Sequence, residues 1–315
     1  MTVSWRSLRM VLGYALAVAL IVWAAVWAGR NWERLANAFL FSPGYLVLLV
    51  PAVAVSVVSV GWSNQLLASH LGAPLRAREW VSLAFASVFM NQVLPLRAGL
   101  VLRAGYYRRR RGFPIAKFIS CTAAAYLLTV IVNALVLAGA LVWIWLAEGR
   151  TFGPLLWAAL GAAALCVLVL ACSPRAAGPG EGRGLWGALG QVRAGWDTIR
   201  RSPRLLAQVA GLSLVTTLLY ALRLFLAFQA VGHAVDIAGC LFIGSLGALS
   251  VFIAVSPGGL GILEGAVVFA GMALGVSPEV GLLAGAMDRS VTLVVVLIAG
   301  PLATALLSRP GRDSS

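Results

Sequence analysis

Charge is what this chain has least of. Only 11% of its 315 residues are Asp, Glu, Lys or Arg, while 61% are hydrophobic and the mean hydropathy is +0.95. A soluble domain of this length cannot bury so much apolar surface around one core, so composition leaves an all-α polytopic membrane protein. Lysine is nearly absent: Lys117 stands alone among 24 cationic residues. The arginine bias, with its alanine and glycine load, is the compositional mark of a GC-rich bacterial genome, and the expected location is the bacterial inner membrane. The net charge of +14 is not gathered on a soluble surface but lies in short loops between apolar runs. Nucleic acid is therefore not an expected partner. Histidine is scarce too, with His70 and His233 in separate loops. The four cysteines (Cys121, Cys166, Cys172 and Cys240) lie inside apolar runs without CxxC spacing, which argues against a disulfide framework and against a metal site. There is no HExxH, no GxSxG and no pair of protease-type membrane aspartates. Enzymatic activity is not expected, and no cofactor is implied.

What is present is a series of long apolar runs with two conspicuous breaks. Runs at residues 10–29, 45–67, 118–147, 152–171, 205–231 and 280–307 each have the length of a membrane span. Between the second and third runs, residues 80–94 form an apolar stretch of fifteen that stops at Pro95. A helical crossing of a hydrocarbon core about 30 Å thick needs roughly 20 residues. The chain resumes after Arg97 as a second short stretch ending in Arg108, Arg109, Arg110 and Arg111. Either this is one proline-kinked span or it is a re-entrant hairpin. Irregular backbone at membrane depth is tolerated only where it is buried in protein or lines a cavity. The second break interrupts residues 238–275 at Ser256-Pro257-Gly258-Gly259-Leu260-Gly261.

Laying one half of the chain on the other aligns the breaks. Ser87-Val88-Phe89, Pro95 and Gly99 match Ser250-Val251-Phe252, Pro257 and Gly261 with one residue of slack, and Pro114 and Pro278 each introduce the long last helix of their half. Each half reads span, span, broken hairpin, span. If both hairpins return to the side they came from, 18 of the 24 Lys and Arg residues fall on the N-terminal side. A single crossing at the first break would move twelve cations to the other side, against the bias that orients membrane proteins. The expected architecture is two inverted repeats of three spans and one re-entrant hairpin, residues 1–147 and 148–307, with a basic tail at 308–315 and both termini cytoplasmic. The hydrophilic connection 173–204 is then a cytoplasmic loop. Its opening is flexible by composition, and Leu185, Leu189, Val192, Trp196 and Ile199 give it an amphipathic helix suited to an interface. Inverted repeats with discontinuous helices are a mark of alternating-access transport.

Five ionisable residues lie inside apolar segments: Arg97, Arg223, Glu264, Asp288 and Arg289. Each costs at least ~2.5 kcal/mol at a helix centre, so they require partners or water. They are either neutralising ion pairs or a coupling set in which a carboxylate (Glu264 or Asp288) exchanges its arginine, such as Arg289, for a proton. Arg97 and Arg223 are candidates for an anionic lipid headgroup, because guanidinium forks fit phosphate oxygens. Gly99, Pro257, Gly258, Gly259 and Gly261 are candidates for close backbone approach and an anion nest, with helix packing as the alternative reading of the glycines. Arg103 and the arginine run after it are either part of that site or a topology anchor at anionic headgroups.

The pattern Pro95-x-Arg97-x-Gly99 with Arg103, followed far downstream by Pro257-Gly258-Gly259-Leu260-Gly261-x-x-Glu264 and the Arg289 helix, resembles the flippase-like transmembrane domain of the lysylphosphatidylglycerol synthase family. The resemblance runs over nearly the whole chain. It implies translocation of a phospholipid, or of a polyprenol- or hopanoid-type lipid, between leaflets. Two positions depart from the family: Leu100 stands where an acidic residue is common, and residues 124–128 lack the early charges of the third span. The soluble aminoacyl-transferase domain of full-length synthases is expected to be missing, since few residues follow the last helix. Membrane lipids with an anionic headgroup are the expected partners, and a lipid-modifying enzyme and further copies of the chain are left open. The rival reading is a non-transporting scaffold for such an enzyme.

Overall fold

The computed structural model describes residues 43–94, 97–172, 185–250 and 259–308. The first expected span at 10–29, the Pro95 break, the first part of the 173–204 loop, Pro257, Gly258 and the tail beyond residue 308 lie outside the described residues. Among the described residues there are ten α-helices and no strand: α1 (Pro43–His70), α2 (Ala77–Val93), α3 (Ala98–Arg111), α4 (Ile115–Glu148), α5 (Gly153–Cys172), α6 (Leu185–Arg200), α7 (Pro203–Ala230), α8 (Ile237–Ser250), α9 (Ile262–Ala273) and α10 (Pro278–Ser308).

Four of these, α1, α4, α7 and α10, are long and apolar enough to cross a membrane. They have 28, 34, 28 and 31 residues. α5 is helical over 20 residues. The helices on either side of the two breaks are short. α2 and α3 have 17 and 14 residues, α8 and α9 14 and 12. At 1.5 Å per residue each reaches about 18–25 Å, less than a hydrocarbon core of about 30 Å.

Side-chain contacts fold the short helices into two antiparallel pairs. At the base of the first pair Tyr106 Oη donates to Glu79 Oε1 at 3.0 Å, and Arg111 Nη2 lies 3.7 Å from Glu79 Oε2. At its tip the Gly99 N–H donates to Asn91 Oδ1 at 2.8 Å. The end of α3 therefore lies beside the start of α2. Gly99 is required there, because a Cβ would run into the Ser87 carbonyl oxygen. In the second pair a Cβ on Gly239 would meet Leu274 at the base, and one on Gly247 would meet Leu263 nearer the tip.

The long helices hold the pairs. α1 packs along α7, α2 lies on α10, and α8 lies on α4. Two buried clusters mark the ends of the bundle. One contains Leu67 and Leu71 from the end of α1, Cys121 and Leu128 from the first half of α4, and Leu205 and Val209 from the start of α7. It also takes Leu75, Tyr107 and Phe113 from the base of the first hairpin. The other contains Leu137, Leu141 and Ile144 of α4, Leu224 and Phe228 of α7, and Val235, Ala238 and Val276 from the base of the second hairpin. α4 and α7 thus run side by side from one cluster to the other.

α6 forms where the amphipathic pattern predicts a helix, and its described part is docked on the bundle. Ile199 is fully buried, Trp196 packs on the first cluster, and Ser120 Oγ donates to the Val192 carbonyl at 2.7 Å. Apolar side chains cover much of the outer surface, among them Val47, Trp157, Phe269 and Ile298. A helix bundle apolar outside as well as inside is one solvated by lipid. Trp143 and Trp145 are exposed near the end of α4, a position suited to the headgroup level.

Candidate functional site

The five ionisable residues inside apolar segments fall into two groups, because the helices that carry them meet different neighbours. α7 and α10 pack together, which brings Arg223 to Asp288 although 65 residues separate them. Arg223 Nε donates to Asp288 Oδ1 at 2.8 Å, and Nη2 donates to Asp288 Oδ2 and to Thr292 Oγ1, each at 2.7 Å. This is the two-pronged fit of a planar guanidinium on a carboxylate, the strongest form of the pair. The Tyr220 ring lies 5.5 Å from the guanidinium carbon and covers it from one side.

Asp288 and Arg289 are adjacent, so on a helix their side chains diverge by about 100° and engage different partners. Arg289, 7% exposed, turns toward both hairpins. Its Nη1 lies 3.6 Å from Glu264 Oε1 at the start of α9, and its Nη2 donates to Gln92 Oε1 near the end of α2 at 3.0 Å. Glu264 has a second task. Its Oε2 accepts the Gly261 N–H at 2.8 Å, closing the first turn of α9. A carboxylate at the third position of a helix is well placed for this, both as a cap and toward the positive end of the helix dipole. Gly259 and Gly261 approach that turn with φ of +72° and +81°, values that L side chains seldom adopt.

The first-half candidates gather elsewhere. Arg97 caps the start of α3 with φ 54° and ψ 49°, the one left-handed non-glycine residue among the described residues. Such a conformation costs of order 1–2 kcal/mol and is a mark of sites where geometry is held for a purpose. Its guanidinium lies 5.4 Å from the centre of the Tyr126 ring on α4. Arg103, two turns further along α3, lies 5.9 Å from the Phe118 ring. Its Nε is buried and makes no hydrogen bond.

The candidates expected from sequence thus occupy three places. Arg223 and Asp288 form one pair; Arg289 and Glu264 form a second, over Gly261; Arg97 and Arg103 face the aromatic side of α4, with Gly99 locking the hairpin tip behind them. Four residues that the sequence reading passed over belong with them. Gln92 and Asn91 are a polar pair in an otherwise apolar arm, one turn before the break, and that interruption was their signal. Thr292 shares a helix face with Asp288 at four-residue spacing. Tyr126 has no sequence mark that separates it from a packing aromatic.

A family model described as Lysylphosphatidylglycerol synthase TM region matches residues 10–300 of the chain. No curated protein matches it.

Proposed function

The chain belongs to the family of the lysylphosphatidylglycerol synthase transmembrane region, and from that premise we propose that it moves an anionic lipid between the leaflets of a bacterial inner membrane by alternating access. The reading includes two inverted repeats with re-entrant hairpins. It is supported by the two hairpin bases, which belong to clusters at opposite ends of α4 and α7. It is also supported by the exchange of arms between halves, α2 lying on α10 and α8 on α4. Arg76, Arg78, Arg108, Arg109, Arg110, Arg111, Lys117, Arg200, Arg201 and Arg204 lie in or beside the elements of the first cluster. That end is the cytoplasmic one on this reading, since cations are retained on that side.

The observation that carries the proposal is Arg289, held between Glu264 of the second hairpin and Gln92 of the first. One guanidinium ties two discontinuous helices to a spanning helix, so releasing it loosens both hairpins together. Protonation of Glu264 removes the charge that holds Arg289 and so frees both hairpins from the spanning helix. The passenger is a phospholipid or a phosphate-bearing polyprenol- or hopanoid-type lipid.

The test is reconstitution into liposomes that carry headgroup-matched fluorescent lipids, with an impermeant quencher outside. Protein-containing vesicles should lose the protected inner-leaflet fluorescence of the anionic probe faster than empty vesicles. A folded protein that leaves that fraction unchanged across a pH range refutes transport. The rival reading, a scaffold for a lipid-modifying enzyme, draws on the exposed arginine run that ends α3 and on the docked α6; it gains if the inactive protein instead co-purifies with such an enzyme.

A further inference from the structure

The two hairpins treat their following helix differently. In the second, α9 packs closely on α10: a Cβ on Gly281 would lie 3.2 Å from the Val268 Cα, and Gly285 sits against Val267 and Glu264. In the first, the backbones of α3 and α4 barely approach one another. Side chains span the space between them: Arg97 and Arg103 reach Tyr126 and Phe118, and the Tyr107 ring lies 6.2 Å from that of Phe118. Phe118, Thr122 and Tyr126 recur at four-residue spacing, so they form one stripe of α4. Ile115 and Ile119 beside that stripe are 47% and 49% exposed.

The charges differ as well. Arg223 and Arg289 each have a carboxylate within reach. Among the described residues, the polar side chains in electrostatic reach of Arg103 are Tyr126, Tyr107 and Cys121, none of them a carboxylate. Its buried Nε donates to nothing; the Arg289 Nε shares that feature, but Arg289 has the Glu264 carboxylate beside it. A guanidinium held among rings, with an unused buried donor, is an incomplete anion site: burying a charged donor without a partner costs free energy that a bound oxyanion returns.

We infer that the groove between α3 and α4 is the binding site for the headgroup phosphate of an anionic lipid, with Arg97 and Arg103 on the phosphate and the acyl chains along Ile115 and Ile119. The exposed isoleucines are what select a lipid over a soluble phosphate, because a soluble ion has no use for an apolar rim. Arg223, Asp288, Glu264 and Arg289 then belong to the moving contacts and not to the headgroup. The inference deepens the proposed function, since it names the half that receives the passenger, and relies on it only for the passenger being moved.

The test is capture by a photoreactive benzophenone side chain at position 119, with the same probe at Met272 on α9 as the control, a site of similar exposure at 52%. The full chain is placed in vesicles of equal parts phosphatidylglycerol and phosphatidylcholine, and the captured lipids are weighed by mass spectrometry. At position 119 phosphatidylglycerol should be favoured about tenfold, because phosphatidylcholine offers the same phosphate but adds a quaternary ammonium that the two guanidinium groups repel. At position 272 there should be no preference. Arg103→Gln should bring position 119 to parity while Arg103→Lys keeps part of the preference. Parity at 119 in the unmodified chain, or a preference retained in folded Arg103→Gln, overturns the site. Should Arg103→Gln fail to elute as the parent does, Arg97→Gln decides in the same way. Loss of capture on adding millimolar inorganic phosphate at constant ionic strength overturns the lipid assignment. No transport step is read, so capture without translocation keeps the groove and removes the transport reading, and translocation without selective capture does the reverse.

Discussion

At the scale of single residues, the two ion pairs made by Asp288 and Glu264 are built differently and should fail differently. Arg223 and Asp288 are matched prong for prong, and among the described residues Asp288 is the carboxylate that Arg223 bonds. Asp288→Asn leaves the guanidinium uncompensated in an apolar bundle, which costs about 3–5 kcal/mol. Thermal unfolding in detergent should show that loss, and the double replacement Arg223→Leu with Asp288→Leu should recover most of it, since two apolar side chains leave no orphan charge. Glu264 is a milder case. Its carboxylate caps the Gly261 N–H as well as facing Arg289, and the glutamine carbonyl of Glu264→Gln still accepts that N–H. The cap survives, but Arg289 is left facing neutral partners, so the variant should still fold with a loss of about 1–3 kcal/mol, less than for Asp288→Asn. If Glu264 carries the coupling proton, transport by the variant loses its dependence on pH, measured in the same liposome assay at two pH values. An unchanged pH profile in a folded variant removes Glu264 from the coupling.

At the scale of elements, the hairpins depend on close approach more than on charge. A side chain on Gly99 would collide with the Ser87 carbonyl oxygen, which is backbone and cannot yield. Gly99→Val should separate α3 from α2 and cost at least about 1–3 kcal/mol, the usual range for forcing bulk into a packed contact. Gly300 is a second such point, where a Cβ would enter Phe89 on α2. Gly300→Val should destabilise by a similar amount by prising α2 from α10, whereas Gly105→Val, which meets nothing within 4 Å, should leave the melting temperature nearly unchanged. Comparing the three by thermal unfolding separates packing from loss of helix propensity. That α2, α3, α8 and α9 are short was legible, because Pro95, Arg97 and the glycine-rich turn at 257–261 interrupt the sequence there. That Gly99 and Gly300 are contact points was not legible, because a glycine in an apolar run carries no sign of what faces it.

At the scale of the whole molecule, the inverted reading makes a sidedness prediction. Single cysteines at Arg78, Arg110 and Thr198 should react with an impermeant thiol reagent from one side of intact cells, and cysteines at Arg150, Asp236 and Glu279 from the other, on a background lacking native cysteines. Arg78 and Arg110 flank the base of the first hairpin, and Asp236 and Glu279 flank that of the second. Reaction of both sets from one side would mean that the hairpins come in from a single face, and the inverted repeat would be lost with them.

What the sequence by itself determined is what depends on neighbours along the chain. Apolar run length decides which segments can sit in a membrane. Proline and glycine decide where helices stop, and the scarcity of charge makes Arg97, Arg223, Glu264, Asp288 and Arg289 stand out. Only the tertiary structure decided how those charges are shared. Adjacent Asp288 and Arg289 look like partners in sequence, yet helical geometry turns them apart. Asp288 goes to Arg223, and Arg289 reaches Gln92 across 197 residues. Nor does the sequence distinguish the hairpin whose second arm packs on its neighbour from the one whose arm stands off it. Both begin at a break, α3 rich in arginine and α9 apolar, but which of them packs on its neighbour is decided only where distant helices meet.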